Sequence, residues 1–316
     1  VRHAIGCVWA GYTGRPEQVR GCGVAGRILR GMNIDDVLRI HGPRQAALPL
    51  VLDSPHSGTR MPADFGSALP ESDLRDGEDC FIDELYLPAT ERGIPLLAAQ
   101  FPRTYLDPNR HAGDIDTDLL DAPWPGELVP SGKARIGKSL VWRTLDDGRP
   151  IYNRKLTVQE LRQRIARCHA PYHQALQGLL QAAHARHGQV FHINCHSMNA
   201  VSGAMGEGGP GQPRADVVLG DRDGTTAAPE FTAMVANAFR QRGFSVAIND
   251  PFKGVALIAR LGRPAERRHS LQIELHRGLY MNELTRARSV DFDTLQSALA
   301  GISAEIAAYV QTQIHS

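Results

Sequence analysis

The sequence has almost no net charge, no long apolar run and no paired cysteines. Its 316 residues carry 35 Lys and Arg against 34 Asp and Glu, a formal net charge of +1. That balance gives no electrostatic ground for nucleic acid or an anionic membrane as the main partner. The longest apolar runs, such as Ile94-Pro95-Leu96-Leu97-Ala98-Ala99, are far shorter than the roughly 20 residues a membrane-spanning helix needs. The five cysteines (Cys7, Cys22, Cys80, Cys168 and Cys195) include no CxxC pair. An odd, scattered set is neither a disulfide framework nor a zinc-finger pattern, and it points to a reducing cytoplasm. No internal repeat is visible, and nothing indicates an oligomeric state.

What is present fits a soluble globular protein: 42% hydrophobic and 22% charged residues are ordinary values for that class. Residues 1–31 differ from the rest. Seven glycines break any periodicity there, and Arg2, Arg15, Arg20, Arg27 and Arg30 outweigh the single Glu17. This stretch is expected to be a poorly ordered extension. Met32 is a natural start, and residues 32–316 form one catalytic α/β domain in this reading.

From Leu48 onward, strand-like and helix-like stretches alternate. Strands are expected at Leu48–Ser54, Pro95–Gln100, Arg103–Leu106, Gln189–Cys195, Ala215–Leu219, Phe244–Ile248 and Ser270–Leu275. Helices are expected at Asp79–Glu91, from Thr157 to about His187 with a kink or break near Pro171, at Pro229–Gln241 and from about Phe292 to Gln313. Thr157 and Glu160 have the spacing of a capping box. Residues 111–150, rich in Gly, Pro and Asp, read as a long loop. The alternation implies an α/β sheet, mostly parallel.

Chemistry-bearing residues gather at the predicted strand ends, where open α/β sheets bind ligands. His56 ends the first strong strand and His196 a later one. Each alone is either a local hydrogen-bonding residue or a metal ligand. A hydrolytic zinc site needs three N or O ligands and one open position. The third ligand could be Asp79 or Asp83, four residues apart on one face of the helix beginning near Glu78. Asp79, in the first turn, is the closer; Asp83 could instead orient the ligand shell. The bland alternative for both is an acidic residue favoured at a helix N-terminus.

Glu274 is a carboxylate inside an apolar strand, Gln272-Ile273-Glu274-Leu275. It either faces solvent on an edge strand or serves as a general base. Asn109-Arg110 follows a Pro, and the Arg110 guanidinium suits a carboxylate. Arg103, Arg143 and Lys253 could add positive charge.

Taken in order, these stretches resemble the N-formylglutamate amidohydrolase (N-formylglutamate deformylase) family. The carriers are Ser54-Pro55-His56-Ser57-Gly58; Asp79-Cys80-Phe81-Ile82-Asp83-Glu84-Leu85-Tyr86; Arg103-Thr104-Tyr105-Leu106-Asp107-Pro108-Asn109-Arg110; Pro171-Tyr172-His173; Asn194-Cys195-His196-Ser197-Met198; Asn249-Asp250-Pro251-Phe252-Lys253-Gly254; and Gln272-Ile273-Glu274-Leu275 with Leu279-Tyr280-Met281. Together they cover roughly residues 45 to 285.

The family is similar, distantly, to zinc carboxypeptidases and aspartoacylases. This implies a three-layer α/β/α fold with a mixed, mainly parallel sheet, of the zinc-carboxypeptidase (phosphorylase/hydrolase-like) type. It also implies one Zn2+ per chain, or another divalent ion, on His56, Asp79 and His196. Glu274 would be the general base. Asn109 and Arg110 would hold a substrate carboxylate, with Arg103, Arg143 or Lys253 for a second. The distant relatives place their first ligand in His-x-x-Glu, whereas Thr59 stands three residues after His56 here. The carboxylate ligand must therefore come from elsewhere.

The implied reaction is hydrolysis of N-formyl-L-glutamate to formate and L-glutamate in histidine degradation. A zinc amidase or carboxypeptidase acting on another small N-acyl amino acid or peptide C-terminus is the alternative within hydrolases. A metal-free binding protein for acidic amino acids is the alternative from another class.

Overall fold

A computed structural model describes residues 37–42, 48–203 and 209–314. The expectations for residues 1–31, for a start at Met32 and for Cys7 and Cys22 lie outside the described residues. Among the described residues, seven strands form one sheet: β1 (Leu38–His41), β2 (Leu50–Ser54), β3 (Leu96–Ala99), β4 (Val190–Met198), β5 (Val217–Gly220), β6 (Val246–Ile248) and β7 (Arg268–His276). Their order is β1-β3-β2-β4-β7-β5-β6. The central run β3-β2-β4-β7 is parallel, β1 and β5 are antiparallel to their inner neighbours, and β6 is parallel to β5. The sheet is therefore mixed and mainly parallel.

The helices are α1 (Glu71–Leu74), α2 (Ile82–Tyr86), α3 (Val158–Arg164), α4 (Ala170–His187), α5 (Pro229–Arg240), α6 (Ala256–Leu261) and α7 (Phe292–Ile314). Buried side chains of α2, α5 and α7 build one core with Leu50, Leu52, Ile193, Cys195, Leu271 and Ile273. Those of α4 and α6 join a second core with Val51, Leu97 and Val190. The result is three layers, α/β/α.

A strand buried on both faces normally reads as a continuous apolar run. Here β4 and β7 instead alternate: His192-Ile193-Asn194-Cys195-His196 and Ser270-Leu271-Gln272-Ile273-Glu274. Successive side chains of a strand point to opposite faces. The apolar set fills the first core, and the polar set forms a buried stripe on the other face. Register aligns that stripe: Asp53 pairs with Asn194, Asn194 with Gln272, and His196 with Glu274.

Several boundaries differ from expectation. Arg103–Leu106 is a turn rather than a strand, because Tyr105 and Leu106 N–H both donate to the Pro102 carbonyl, at 3.0 and 3.4 Å. Helix α2 starts at Ile82, so Asp79 lies ahead of it and not in its first turn. Phe81 takes a left-handed conformation, φ 62°, which no helix can begin with, and Leu87–Arg92 tightens into a 3-10 turn. The irregularity expected at Pro171 falls earlier: Ile165–His169 is a π turn, and Pro171 sits harmlessly in the first turn of α4. The capping box at Thr157 and Glu160 is formed. Within 111–150, short 3-10 turns at Thr117–Leu119 and Lys133–Ile136 relieve an otherwise irregular path.

The loop after β2 is held tightly. A Cβ added to Gly58 would lie 2.3 Å from the Phe101 carbonyl oxygen and 2.5 Å from the Gln100 carbonyl carbon, both backbone atoms that cannot swing away. Gly58→Ala should lower unfolding free energy by about 1–3 kcal/mol, read from the urea midpoint. An unchanged midpoint would show that this loop has slack.

Candidate active site

The polar stripe ends in a cavity of about 540 Å³, whose lining includes His56, Asp79, Asn109, Arg110, His196 and Glu274. At its floor, Asp79 Oδ2 lies 3.2 Å from His56 Nδ1 and 2.9 Å from His196 Nδ1. His56, Asp79 and His196 are at most 3% exposed. The chain brings them together by short links. Asp79 N–H donates to the His56 carbonyl at 3.1 Å, and Ser57 Oγ donates to the Asp79 carbonyl at 3.2 Å. His196 arrives from the neighbouring strand β4.

The far side of each imidazole is fixed. His56 Nε2 is 2.7 Å from Asp107 Oδ1, and His196 Nε2 is 2.7 Å from Asn194 Oδ1. Asp107 only accepts, so His56 Nε2 carries the proton; His196 Nε2 meets both the Asn194 oxygen, an acceptor, and, at 2.9 Å, the Asn109 amide nitrogen, a donor. The orientation of Asn194 is set in turn, because its Nδ2 donates to Asp53 Oδ1 at 2.8 Å. Asp53 also accepts from Tyr172 Oη at 2.7 Å and from His192 Nε2 at 2.8 Å. With Nε2–H on both rings, the two Nδ1 atoms and the Asp79 carboxylate are three acceptors facing one another, and only a cation or protons can hold such a set together.

The donor set therefore fits a divalent metal on its own chemistry. Among the described residues it is the only group of three potential ligands with donor atoms within 4.8 Å of one another. Two imidazoles and one carboxylate are the protein ligands of one class of hydrolytic zinc site. Backing by a carboxylate and an amide on the remote ring nitrogens is the usual support for metal-ligating histidines.

Charge follows the same plan. Burial alone would raise the Asp79 carboxyl; with protons rather than a metal between them, hydrogen bonds from His196 and His56 hold it well below the ordinary carboxylate range. Asp107 is likewise buried, yet Arg103, His56 and Arg110 keep it well below that range. Burial lowers His196, against the pull of Asp79. Glu274 goes the other way: desolvation first, then the Asp79 charge, push its carboxyl well above the ordinary value. Gln272 Nε2 donates to Glu274 Oε1 at 2.8 Å. Strand β7 is interior to the sheet, so Glu274 does not face solvent on an edge strand.

Of the other anticipated residues, Arg110, Arg103 and Lys253 line the cavity. Arg110 is 8% exposed, with Nε donating to the Lys138 carbonyl at 3.2 Å. Arg103 Nη2 donates to Asp107 Oδ2 at 2.8 Å. Lys253 Nζ pairs with Asp223 at 2.8 Å, with both side chains largely exposed, which places it at the rim. Arg143 is not among the lining residues; its Nε donates to Asp116 Oδ2 at 2.7 Å. Asp83 is not part of the cavity either. Only its backbone N–H reaches the loop, donating to Ser57 Oγ at 3.2 Å, and burial pushes its carboxyl up to about 6.

Sequence reasoning gave no role to Asp53, Asp107, Asn194 or Arg277. Arg277 Nη2 donates to Asp79 Oδ1 at 3.2 Å and to the Glu78 carbonyl at 2.7 Å, so it grips the carboxylate from the side away from the imidazoles. A usable signal existed for Asp53: a carboxylate inside Leu50-Val51-Leu52-Asp53 is the same anomaly that marked Glu274. The polar alternation of β4 and β7 was a second signal. In all, seven lining residues are Lys or Arg (Arg103, Arg110, Lys133, Lys138, Arg214, Lys253, Arg277) against four acidic ones (Asp76, Asp79, Asp146, Glu274), a balance that suits an anionic ligand.

The N-formylglutamate amidohydrolase family profile matches residues 48–281. The structure is similar to the crystal structure of N-formylglutamate amidohydrolase from Ralstonia eutropha JMP134, with a TM-score of 0.84 and 48% identity, covering 88% of this chain and 100% of that one. The N-formylglutamate deformylases of Pseudomonas aeruginosa and Pseudomonas putida are each 28% identical to it, over 79% of this chain and 87% of theirs.

The support of His56 by Asp107 is open to test. Asp107→Asn should weaken binding of an added divalent metal about 10–100-fold, read by competition with a chelator of known affinity. Unchanged affinity would show that the Asp107 contact does not tune His56.

Proposed function

Because the chain belongs to the N-formylglutamate amidohydrolase family, we propose that it hydrolyses N-formyl-L-glutamate to formate and L-glutamate. Water adds to the formyl carbon, the C–N bond breaks, and the amine leaves with a proton. The observation that carries the reading is the convergence of His56, Asp79 and His196 beside Glu274 at the floor of a cationic cavity. We assign His56 Nδ1, Asp79 and His196 Nδ1 as ligands of one Zn2+. When bound, the ion would polarise a carbonyl oxygen and lower the pKa of water to about 7.

The rest of the chemistry belongs to the protein. Glu274 takes a proton from the attacking water and passes it to the amide nitrogen. Asn109 and Arg110 bind one carboxylate of the substrate, and Arg103 or Lys253 takes the other. Arg143, tied to Asp116 outside the cavity, is left out of this assignment. Asp83, away from the imidazoles, is left out as a ligand. The product chemistry fits a step of histidine degradation, carried out in the cytoplasm. None of the described helices is long and apolar enough to cross a membrane.

The test pairs two variants with metal analysis. Glu274→Gln should keep zinc and lose turnover of N-formyl-L-glutamate by about 10²–10⁴-fold. His196→Ala should lose the zinc itself. Near-normal turnover in Glu274→Gln would remove Glu274 from the mechanism. A preference of the wild-type protein for N-acetyl-L-aspartate or C-terminal dipeptides over N-formyl-L-glutamate would overturn the substrate.

A further inference from the structure

Tyr105–Arg110 carries Asp107, Asn109 and Arg110, yet it belongs to no helix or strand. Buried carbonyls in such a segment must find donors elsewhere. Three come from one helical run, α3 through the π turn into α4. Arg164 Nη1 donates to the Tyr105 carbonyl at 3.1 Å, His173 Nε2 to the Pro108 carbonyl at 2.8 Å, and His169 Nε2 to the Arg110 carbonyl at 2.9 Å. The two histidines thus grip the carbonyls on either side of Asn109.

A carbonyl only accepts, so each ring must present Nε2–H. His173 Nδ1 is then the acceptor that meets the Arg260 guanidinium. The two rings pack against each other, tilted by 38°, with centroids 4.0 Å apart. Burial lowers both, His169 to about 4 and His173 well below its usual value, with the neighbouring His169 and Arg260 adding to the shift of His173.

The spacing explains the π turn. Arg164 and His169 are five residues apart, and His169 and His173 four. In an unbroken α-helix, positions five apart point about 140° away from each other, at 3.6 residues per turn. They could not reach one segment. A π turn closes i→i+5 and absorbs one extra residue, so Arg164 and His169 stand as i and i+4 normally would. His173 follows one α-turn later on the same face.

We propose that the π turn at Ile165–His169 is a register device. It makes His169 and His173 positioning residues that hold Asn109 and Arg110 in the geometry needed to bind a substrate carboxylate. The inference rests on the reading of Asn109-Arg110 as the carboxylate clamp. The histidines touch neither the ligand triad nor the substrate; they act through the backbone on both sides of Asn109.

The experiment uses the zinc-loaded enzyme with N-formyl-L-glutamate. His169→Ala and His173→Ala should each raise KM on the order of 10–100-fold, with kcat changed less than about threefold and zinc content unchanged. Gln at either position keeps a side-chain N–H and should restore most of the loss. His173→Leu fills the volume without a donor and carries the test if the alanine variant does not fold. A KM within twofold of wild type, Gln variants no better than Ala, or a loss confined to kcat would overturn the proposal. If the wild-type enzyme fails to turn over N-formyl-L-glutamate, the functional reading has failed, and the positioning role is read instead from calorimetric binding of L-glutamate. Equal affinity of wild type and His173→Ala for L-glutamate, or no binding by the wild type, then overturns it.

Discussion

The interaction on which the rest depends is the buried carboxylate of Asp79, shared by two imidazoles. A charge so deep costs several kcal/mol unless it is paired and hydrogen-bonded. Arg277 meets part of that demand, and a cation or proton between the carboxylate and the two rings meets the rest. His56 and His196 face one oxygen, Arg277 the other, and the Asp79 backbone N–H is tied to the His56 carbonyl. Each link fixes a piece of chain: the loop after β2, the end of β4 and the turn after β7. The left-handed Phe81, which delays α2 until Ile82, leaves Asp79 in the loop where it can turn toward both rings.

Behind the triad lies a second tier that is polar and fully enclosed. Asp53 accepts hydrogen bonds from Tyr172, His192 and Asn194, and His192 Nδ1 is 2.7 Å from Ser270 Oγ. A network of this kind is favourable only if every member is satisfied. Its consequence for the site is geometric. Asp53 decides which way the Asn194 amide points, Asn194 and Asn109 hold the Nε2 side of His196, and its Nδ1 is aimed at Asp79. A carboxylate in the middle of the sheet thus sets the donor atom offered at its edge.

Electrostatics divides the labour among the carboxylates. Asp79 and Asp107 are both held ionised by cationic or imidazole partners, despite burial. Glu274, one strand over and paired in register with His196, is desolvated by burial and lies near the negative charge of Asp79, so its proton affinity rises. Groups pushed in opposite directions in one cavity are the arrangement from which acid and base roles arise.

The α/β class, the central strands, the capping box at Thr157 and the strand-end histidines were legible in the sequence, because each rests on local periodicity or spacing. So was the oddity of Glu274, since a carboxylate in an apolar strand breaks a local pattern. The alternation in β4 and β7 was equally local and marks the polar face. What needed the tertiary structure is everything that depends on direction rather than position. Arg143 and Arg110 are alike as residues, yet one is tied to Asp116 and the other lines the cavity. Asp79 and Asp83 are four residues apart, yet a left-handed Phe81 between them sends one to the imidazoles and the other away. The pairing of His56 with Asp107 spans 51 residues, and that of Asp53 with Asn194 spans 141. No local propensity encodes such distances. They exist because register in a parallel sheet and the burial of charge leave these partners nowhere else to go.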